Sequence, residues 1–163
     1  MPFFFLLTLF SSPFLFPPLQ PTSGEYIAVE KIEAVYKKCP LVEQVWVYGN
    51  SYESALVAVV VPAEAVLRSS LAAAGVTTDA DAAVPLAELC ARPEVNKHLL
   101  SALTATGKEA KLKGFEAVKA IHLDDRHFSV EDDTLTPTFK LKRPQLLKRY
   151  QAKVDELYAQ LKK

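Results

Sequence analysis

Cationic and hydroxyl side chains gather in the stretch TLTPTFKLKRPQLLKRY, residues 134–150, where the chain enters its last helical pattern. Three of the cations, Lys140, Lys142 and Arg143, lie within four residues of one another. A lysine on a loop carries a compact charge on a flexible stem, which suits it to reach an anion. The pattern therefore indicates a loop that meets an anion, and the spacing alone does not decide which cation does so.

A second group of residues with reactive side chains is HLDDRH, residues 122–127. Histidine and aspartate at short spacing are metal-ligand types, but the alternation of a strand would send His122 and Asp125 to opposite faces. We therefore interpret the segment as a polar strand end and predict no metal site. The sequence has no GxSxG, GxxxxGK[ST] or HExxH motif, so serine hydrolases, P-loop proteins and zinc proteases have no support.

Charge and cysteine content exclude some further classes. Nineteen Lys and Arg balance nineteen Asp and Glu, so the whole chain has no charge excess that would favour a polyanionic partner. The last helical segment is locally basic but lacks an aromatic platform or RNA-binding motif, and we expect no nucleic-acid partner. Cys39 and Cys90 lie far apart without CxxC spacing and are expected to be reduced, partly buried thiols.

Residues 1–23 differ in composition from the rest of the chain, since they contain no charged side chain, five prolines and six phenylalanines. We exclude them from the fold and predict one domain over residues 24–163. Three interpretations of the segment stay open. It is foreign to the domain, as from a misjoined reading frame; or it is a leader without the usual basic start; or it is a membrane anchor that prolines interrupt.

The first part of the domain is predicted to contain one helix and two strands. Apolar residues at helical spacing indicate a helix over 29–38, which Pro40 ends. Two strands follow, VEQVWVYGN and SALVAVVVP, joined by a hairpin turn with Gly49 and Asn50. The second strand is almost continuously apolar and β-branched, which is typical of a strand buried on both faces.

The second part is predicted to be mainly helical. Helices are expected over 63–74 and 85–91, separated by a polar loop, and then over the segment RPEVNKHLLSALTATGKEAKL. A third strand is expected in FEAVKAIHLDD, and a last helix begins at Pro144. The apolar stripe of that helix consists of Leu146, Leu147, Tyr150, Val154, Leu157, Tyr158 and Leu161. Together these elements predict an α+β fold, a small, roughly three-stranded sheet packed with helices.

Four blocks of the sequence carry a family resemblance: GEYIAVEKIE, VWVYGNSYESALVAVVVP, GKEAKLKGFEAVKAIHL and LTPTFKLKRPQLLKRY. In this order they resemble the C-terminal domain of long-chain acyl-CoA synthetases of the adenylate-forming superfamily, of the plant and algal type. The resemblance implies a small α+β domain that closes over a large N-terminal adenylation domain. It also implies ATP-dependent activation of a long-chain fatty acid through an acyl-adenylate, followed by transfer to coenzyme A.

The resemblance assigns roles to two of the blocks. TPTFK matches the lysine loop of the family, so Lys140 corresponds to the catalytic lysine, and the anion is the phosphate of ATP and of the acyl-adenylate. A mobile ammonium group suits this role, because negative charge accumulates on the phosphate oxygens as the fatty carboxylate attacks the α-phosphorus. GEYIAVEKIE matches the segment that lines the pantetheine tunnel, so Gly24, Glu25 and Tyr26 are the candidates for coenzyme A contact.

The implied co-substrates are ATP with Mg²⁺ and coenzyme A, and the implied partners are the N-terminal adenylation domain and the fatty acid. Since that domain holds the phosphate loop and the acyl pocket, we expect this chain alone to bind none of the co-substrates and to be inactive. Enzymes of the family commonly act on endoplasmic reticulum, peroxisomal or plastid-envelope membranes, so membrane association is compatible with the resemblance and the organelle stays open. Two alternatives are a regulatory or binding module that acts in trans on a full-length synthetase, and a small membrane-attached protein.

Overall fold

The structure of the protein, a computed structural model, describes residues 28–163 as a three-stranded sheet covered by helices. A short 3-10 helix at Asp79–Ala83 interrupts the connection between the second and third α-helices. The α-helices are α1 (Val29–Tyr36), α2 (Glu64–Ala73), α3 (Leu86–Ala91), α4 (Pro93–Glu109) and α5 (Arg143–Leu161), and the strands are β1 (Val42–Gly49), β2 (Leu56–Pro62) and β3 (Val118–Leu123). The predicted α+β class is confirmed.

The sheet has the order β1-β2-β3, with β2 antiparallel to β1 and parallel to β3. Every residue of the central strand is buried, as its continuous apolar sequence predicts. Because successive side chains point to opposite faces, the strand contributes to two separate cores. Its residues in one core are Leu56, Ala58 and Val60, and those in the other are Val57, Val59 and Val61.

The larger core lies on the face covered by α1, α2 and α4, and the smaller one lies under α5. The predicted stripe of α5 is buried in its middle, but Leu147 is only partly buried and Leu161 remains 40% exposed. The buried part of the stripe is therefore shorter than its periodicity suggests. No helix within residues 28–163 has the length and apolar composition that crossing a bilayer requires.

Two local features differ from the sequence-based expectation. Gly49 is the last residue of β1 and does not form the turn, which is made by Asn50 accepting amide hydrogens from Tyr52 through its side chain and from Glu53 through its carbonyl, both at 3.0 Å. An aspartate or asparagine side chain that bonds two residues ahead stabilises such a turn without glycine. The polar loop between α2 and α3 contains the 3-10 helix, which Thr78 starts with a reciprocal capping box.

Buried polar groups tie the elements together. The Tyr36 hydroxyl of α1 accepts the Val118 amide hydrogen at 3.0 Å, which attaches the first helix to β3. Burial is the largest cause that raises the Tyr36 pKa above its ordinary value. Cys39 is buried and Cys90 is partly buried, and both are free thiols as predicted.

We expect the chain to unfold cooperatively and to depend strongly on Leu99, which is fully buried in the larger core on α4. Leu99→Ala should lower the free energy of unfolding by about 2–5 kcal/mol, because it removes buried methyl groups and leaves a cavity. Urea unfolding followed by far-UV circular dichroism measures the change. The half-exposed Leu161 is the matched control, and Leu161→Ala should cost less than about 0.5 kcal/mol. Equal losses at both sites would contradict the assignment of the core.

Candidate active-site lysine loop

The segment that carries the candidate lysine is a short hairpin closed at its base. Leu135 and Leu141 form an isolated antiparallel bridge, and the Lys142 amide donates to the Thr134 carbonyl at 2.9 Å. Thr134 is buried, and its hydroxyl is bonded to both the amide and the carbonyl of Ser129, at 2.8 and 3.1 Å. The base of the loop is therefore closed by these local bonds, and the buried Leu135 packs it against the smaller core.

The tip of the loop is a tight turn from Thr136 to Lys140. The Phe139 amide donates to the Thr136 carbonyl and the Thr136 amide donates to the Lys140 carbonyl, both at 2.8 Å. Pro137 occupies the second turn position, where its fixed φ is suitable. The Lys140 amide also donates to the Thr136 hydroxyl at 3.1 Å. These bonds define the backbone from which the Lys140 side chain extends.

Phe139, the residue before the candidate lysine, is both strained and exposed. Its φ is +61°, in the left-handed region that non-glycine residues seldom adopt, and its side chain is 76% exposed. An exposed aromatic ring recovers little hydrophobic stabilisation, so the backbone hydrogen bonds of the turn, and not packing of the ring, hold Phe139 in this conformation. Strain of this kind concentrates at functional sites.

The structure separates the three cations that the sequence leaves equivalent. Lys142 forms an ion pair with Asp133, and Arg143 is bonded to Glu33. Lys140 is exposed, and its ammonium group has no hydrogen-bond or ion-pair partner within residues 28–163. Only Lys140 among the three therefore presents an uncompensated positive charge to an incoming anion.

The pair of Arg143 and Glu33 connects the start of α5 to α1. Two guanidinium nitrogens donate to the two carboxylate oxygens of Glu33 at 2.8 and 3.0 Å, a bidentate geometry. Glu33 is 5% exposed, and its Oε1 also accepts the Val47 amide hydrogen at 2.9 Å. Removal of the Arg143 guanidinium group would leave the buried Glu33 carboxylate without its charge partner, which destabilises the fold.

A cleft of about 400 Å³ lies between α1 and the lysine loop. Of the block GEYIAVEKIE, the described residues Glu30 and Glu33 border this cleft together with the lysine loop. Its lining residues are Glu30, Glu33, Ala34, Lys37, Phe139, Lys140, Leu141 and Arg143. Sequence reasoning gave no role to Glu33 or Phe139. The only signal for Glu33 was a charged residue among the apolar positions of the first helix, beside Ile32.

The candidate coenzyme A residues Gly24, Glu25 and Tyr26 lie outside the described residues, as does the segment 1–23. Their assignment stays a prediction from the resemblance. The described neighbour closest to them in the sequence is Ala28, directly before α1.

The HLDDRH segment does not form a metal centre in the described part of the chain, where no group of three His, Cys, Asp or Glu side chains is placed to hold an ion. Because β3 ends at Leu123, strand alternation does not extend to Asp125, and His122 and Asp125 border one open groove instead of facing apart. Asp124 accepts the Tyr150 hydroxyl at 2.6 Å. Burial would raise the Asp124 pKa, but this hydrogen bond and that from the Arg126 amide outweigh it and lower the pKa.

Known proteins are similar to this chain in sequence and in fold. Residues 31–119, more than half of the chain, match the family described as AMP-binding enzyme C-terminal domain. The chain belongs to this family. It is 49% identical over 137 residues to Long chain acyl-CoA synthetase 4 of Arabidopsis thaliana, a match that covers 84% of this chain and 20% of that protein. It is 48% identical over 141 residues to a probable CoA ligase of Humulus lupulus, covering 86% of this chain and 20% of that protein.

Solved structures of adenylation domains contain a region with the same fold as this chain. The domain resembles the adenylation domain of a carboxylate reductase from Mycobacterium chelonae with a TM-score of 0.69 and 33% identity, covering 87% of this chain and 19% of that chain. It also resembles the adenylation domain of a carboxylic acid reductase from Segniliparus rugosus, solved with AMP and a carboxylic acid, with a TM-score of 0.68 and 31% identity. That match covers 88% of this chain and 20% of the reductase chain. This chain thus spans about a fifth of the length of the curated relatives that it matches. The resemblance to the C-terminal domain of long-chain acyl-CoA synthetases is confirmed.

The left-handed backbone at Phe139 predicts that glycine at this position stabilises the chain. Phe139→Gly should stabilise the isolated chain by about 0.5–1 kcal/mol, since glycine removes about 1–2 kcal/mol of left-handed strain and adds a smaller cost through the entropy of the unfolded chain. Urea unfolding measures the change. Phe139→Ala is the matched control, because it removes the same ring but keeps the Cβ, and it should give no stabilisation. If both variants behave alike, strain at this position is not the cause.

Proposed function

We propose that this domain serves the ATP-dependent formation of long-chain acyl-CoA, and that Lys140 acts in the adenylation half-reaction. The observation that carries the proposal is the uncompensated, exposed ammonium group of Lys140 on a loop whose base is bonded to the domain. Membership of the AMP-binding enzyme C-terminal domain family supplies the context, because the relatives include long-chain acyl-CoA synthetases. Neighbouring cations are excluded from the role by their ion pairs.

The chemistry of adenylation explains why a free cation is needed. An oxygen of the fatty carboxylate bonds to the α-phosphorus of ATP, and the bond from that phosphorus to the bridging oxygen of pyrophosphate breaks. Negative charge grows on the phosphate oxygens and on the leaving pyrophosphate in the transition state. A cation that is already placed, and is not neutralised by a protein carboxylate, stabilises this charge more than it stabilises the ground state. Lys140 meets both conditions once the domain is closed on its substrates.

In the second half-reaction the coenzyme A sulfur bonds to the acyl carbon and AMP leaves. We propose that the domain turns between the two steps, which withdraws Lys140 and presents the segment that precedes α1. In this proposal Gly24, Glu25 and Tyr26 contact coenzyme A. A glycine in such a segment permits close backbone approach to a narrow ligand.

The partner of this domain is proposed to be an N-terminal adenylation domain that binds ATP and the fatty acid. The support for this is that the matched relatives are about five times as long as the region they share with this chain. Mg²⁺ would arrive with ATP as part of the substrate. Within residues 28–163 no group of three His, Cys, Asp or Glu side chains is placed to hold a metal ion, and Glu33 beside the lysine loop is bonded to Arg143.

Loss of the Lys140 charge should affect one half-reaction only. In a plant synthetase whose C-terminal domain is replaced by residues 24–163, Lys140→Ala should slow pyrophosphate release with palmitate by roughly 10²–10³-fold, as expected for one lost electrostatic donor. Transfer of a supplied acyl-adenylate to coenzyme A should change little. Lys142→Ala is the control and should cost much less in both steps. A larger effect at Lys142, or equal losses in both half-reactions after Lys140→Ala, would refute the assignment.

The isolated chain should have no ligase activity. Purified residues 1–163, incubated with ATP, Mg²⁺ and palmitate or oleate, should release pyrophosphate no faster than a boiled sample, because a single cation without substrate pockets cannot align the reactants. A coupled pyrophosphate assay tests this. Addition of the full-length synthetase as a positive control confirms that the assay detects turnover. Release above the boiled sample would show that the substrate sites lie in this chain after all.

A further inference from the structure

We propose that Glu33 is a positioning residue for Lys140, which it holds in place through Arg143. The inference rests on the proposed role of Lys140 in adenylation. Arg143 follows Lys140 by three residues and is the first residue of α5, so its ion pair restrains the residue at which the lysine loop enters the helix. The bidentate bonds at 2.8 and 3.0 Å hold that group on one carboxylate in one orientation.

Glu33 is itself held in place, which makes it an effective anchor. It lies on α1 among buried neighbours, and its Oε1 accepts the Val47 amide hydrogen at 2.9 Å. The Arg143 Nη1 also lies 3.4 Å from the Val47 carbonyl, to which it donates. Because β1 is an edge strand, the amide and carbonyl of Val47 that point away from β2 meet these two side chains. Helix α1, the edge of the sheet and the start of α5 therefore meet at one ion pair.

A second ion pair beside the loop does not anchor it to the sheet. Lys142 pairs with Asp133, which belongs to the same exposed segment, so this pair does not connect the loop to the sheet. On the N-terminal side the loop is held by Leu135, which is buried in the smaller core. On the C-terminal side Leu141 packs against the same core, and Arg143 makes the polar contacts with Glu33 and with the edge of the sheet. Lys140 lies between these two anchors.

The position of Lys140 should affect the rate of adenylation. Displacement of a reacting or stabilising group by about 1 Å can cost on the order of 10²-fold in rate, even when the altered residue lies away from the chemistry. The Glu33–Arg143 pair should therefore matter for adenylation, when Lys140 must meet the phosphate. It should matter far less for transfer to coenzyme A, when the lysine loop has turned away.

Hydrogen exchange of the isolated chain tests the anchor directly. In Arg143→Met the acceleration of exchange at the amides of Phe139, Lys140 and Lys142, which close the loop, should exceed that of the β2 amides at least tenfold, because β2 exchange reports only the loss of global stability. Arg149→Met is the matched control, because it removes an arginine from the same helix whose partner Asp132 is more exposed and 3.4 Å away. Unchanged loop protection in Arg143→Met would overturn the proposal.

Half-reaction kinetics in the chimeric synthetase test the effect on function. Arg143→Met should lower the rate of pyrophosphate release at saturating ATP by about 10²-fold and leave the KM for ATP and the transfer step within about threefold. Arg143→Lys keeps the charge but cannot form the bidentate contact, and it should fall between the wild type and Arg143→Met. If Arg143→Met does not fold, Arg143→Lys carries the same test, with about a tenfold loss expected. Equal losses in both half-reactions would show that the Glu33–Arg143 pair only stabilises the fold and does not position Lys140 for adenylation.

The two proposals fail in different ways. If Lys140→Ala leaves adenylation intact, the proposed function of the lysine is wrong. If Lys140→Ala abolishes adenylation while Arg143→Met and Arg143→Lys retain the wild-type rate, only the positioning role is wrong. Arg149→Met should keep both half-reactions within about threefold of the wild type, and a loss there equal to that of Arg143→Met would also overturn the specific role of the Glu33–Arg143 pair.

Discussion

The carboxylate of Glu33 is almost fully removed from solvent, and a buried carboxylate must be paired or it destabilises the fold. This requirement is met by Arg143 and by the amide of Val47. The three residues come from α1, α5 and β1, so one local electrostatic need determines how three elements meet. Hydrophobic contacts alone allow small shifts of one helix against another. A bidentate pair allows few, because both oxygens and both nitrogens must remain aligned.

The position of this pair has a structural meaning because the sheet has a core on each face. Helix α1 belongs to the core on one face and α5 to the core on the other. The central strand separates the two cores completely, since all its residues are buried. At the edge of β1 the Glu33–Arg143 pair connects α1, on one face of the sheet, to α5, on the other face. The pair thereby joins α1 to the residue at which the lysine loop enters α5.

Rigidity at the base of the lysine loop contrasts with the character of its tip. Thr134 is buried and its hydroxyl forms two bonds, whereas Phe139 has a left-handed backbone and is exposed, and Lys140 is exposed with no side-chain partner among residues 28–163. The base is therefore fixed by local bonds and buried groups, whereas the tip places an aromatic ring and an ammonium group at the surface.

Local patterns in the sequence determined most of the elements, because periodicity and β-branched runs act over a few residues. They predicted the buried central strand, the hairpin, the long helix α4 and the stripe of α5, and the family resemblance selected Lys140. The tertiary structure decided which cations are free. Lys140, Lys142 and Arg143 have similar local surroundings in the sequence, and only the fold brings Glu33, 110 residues away from Arg143, to neutralise one of them. It also decided that Asn50 makes the turn in place of Gly49, and that HLDDRH leaves the strand before its alternation is complete. Charge pairing acts through space and has no periodicity along the chain, so these outcomes required the folded structure.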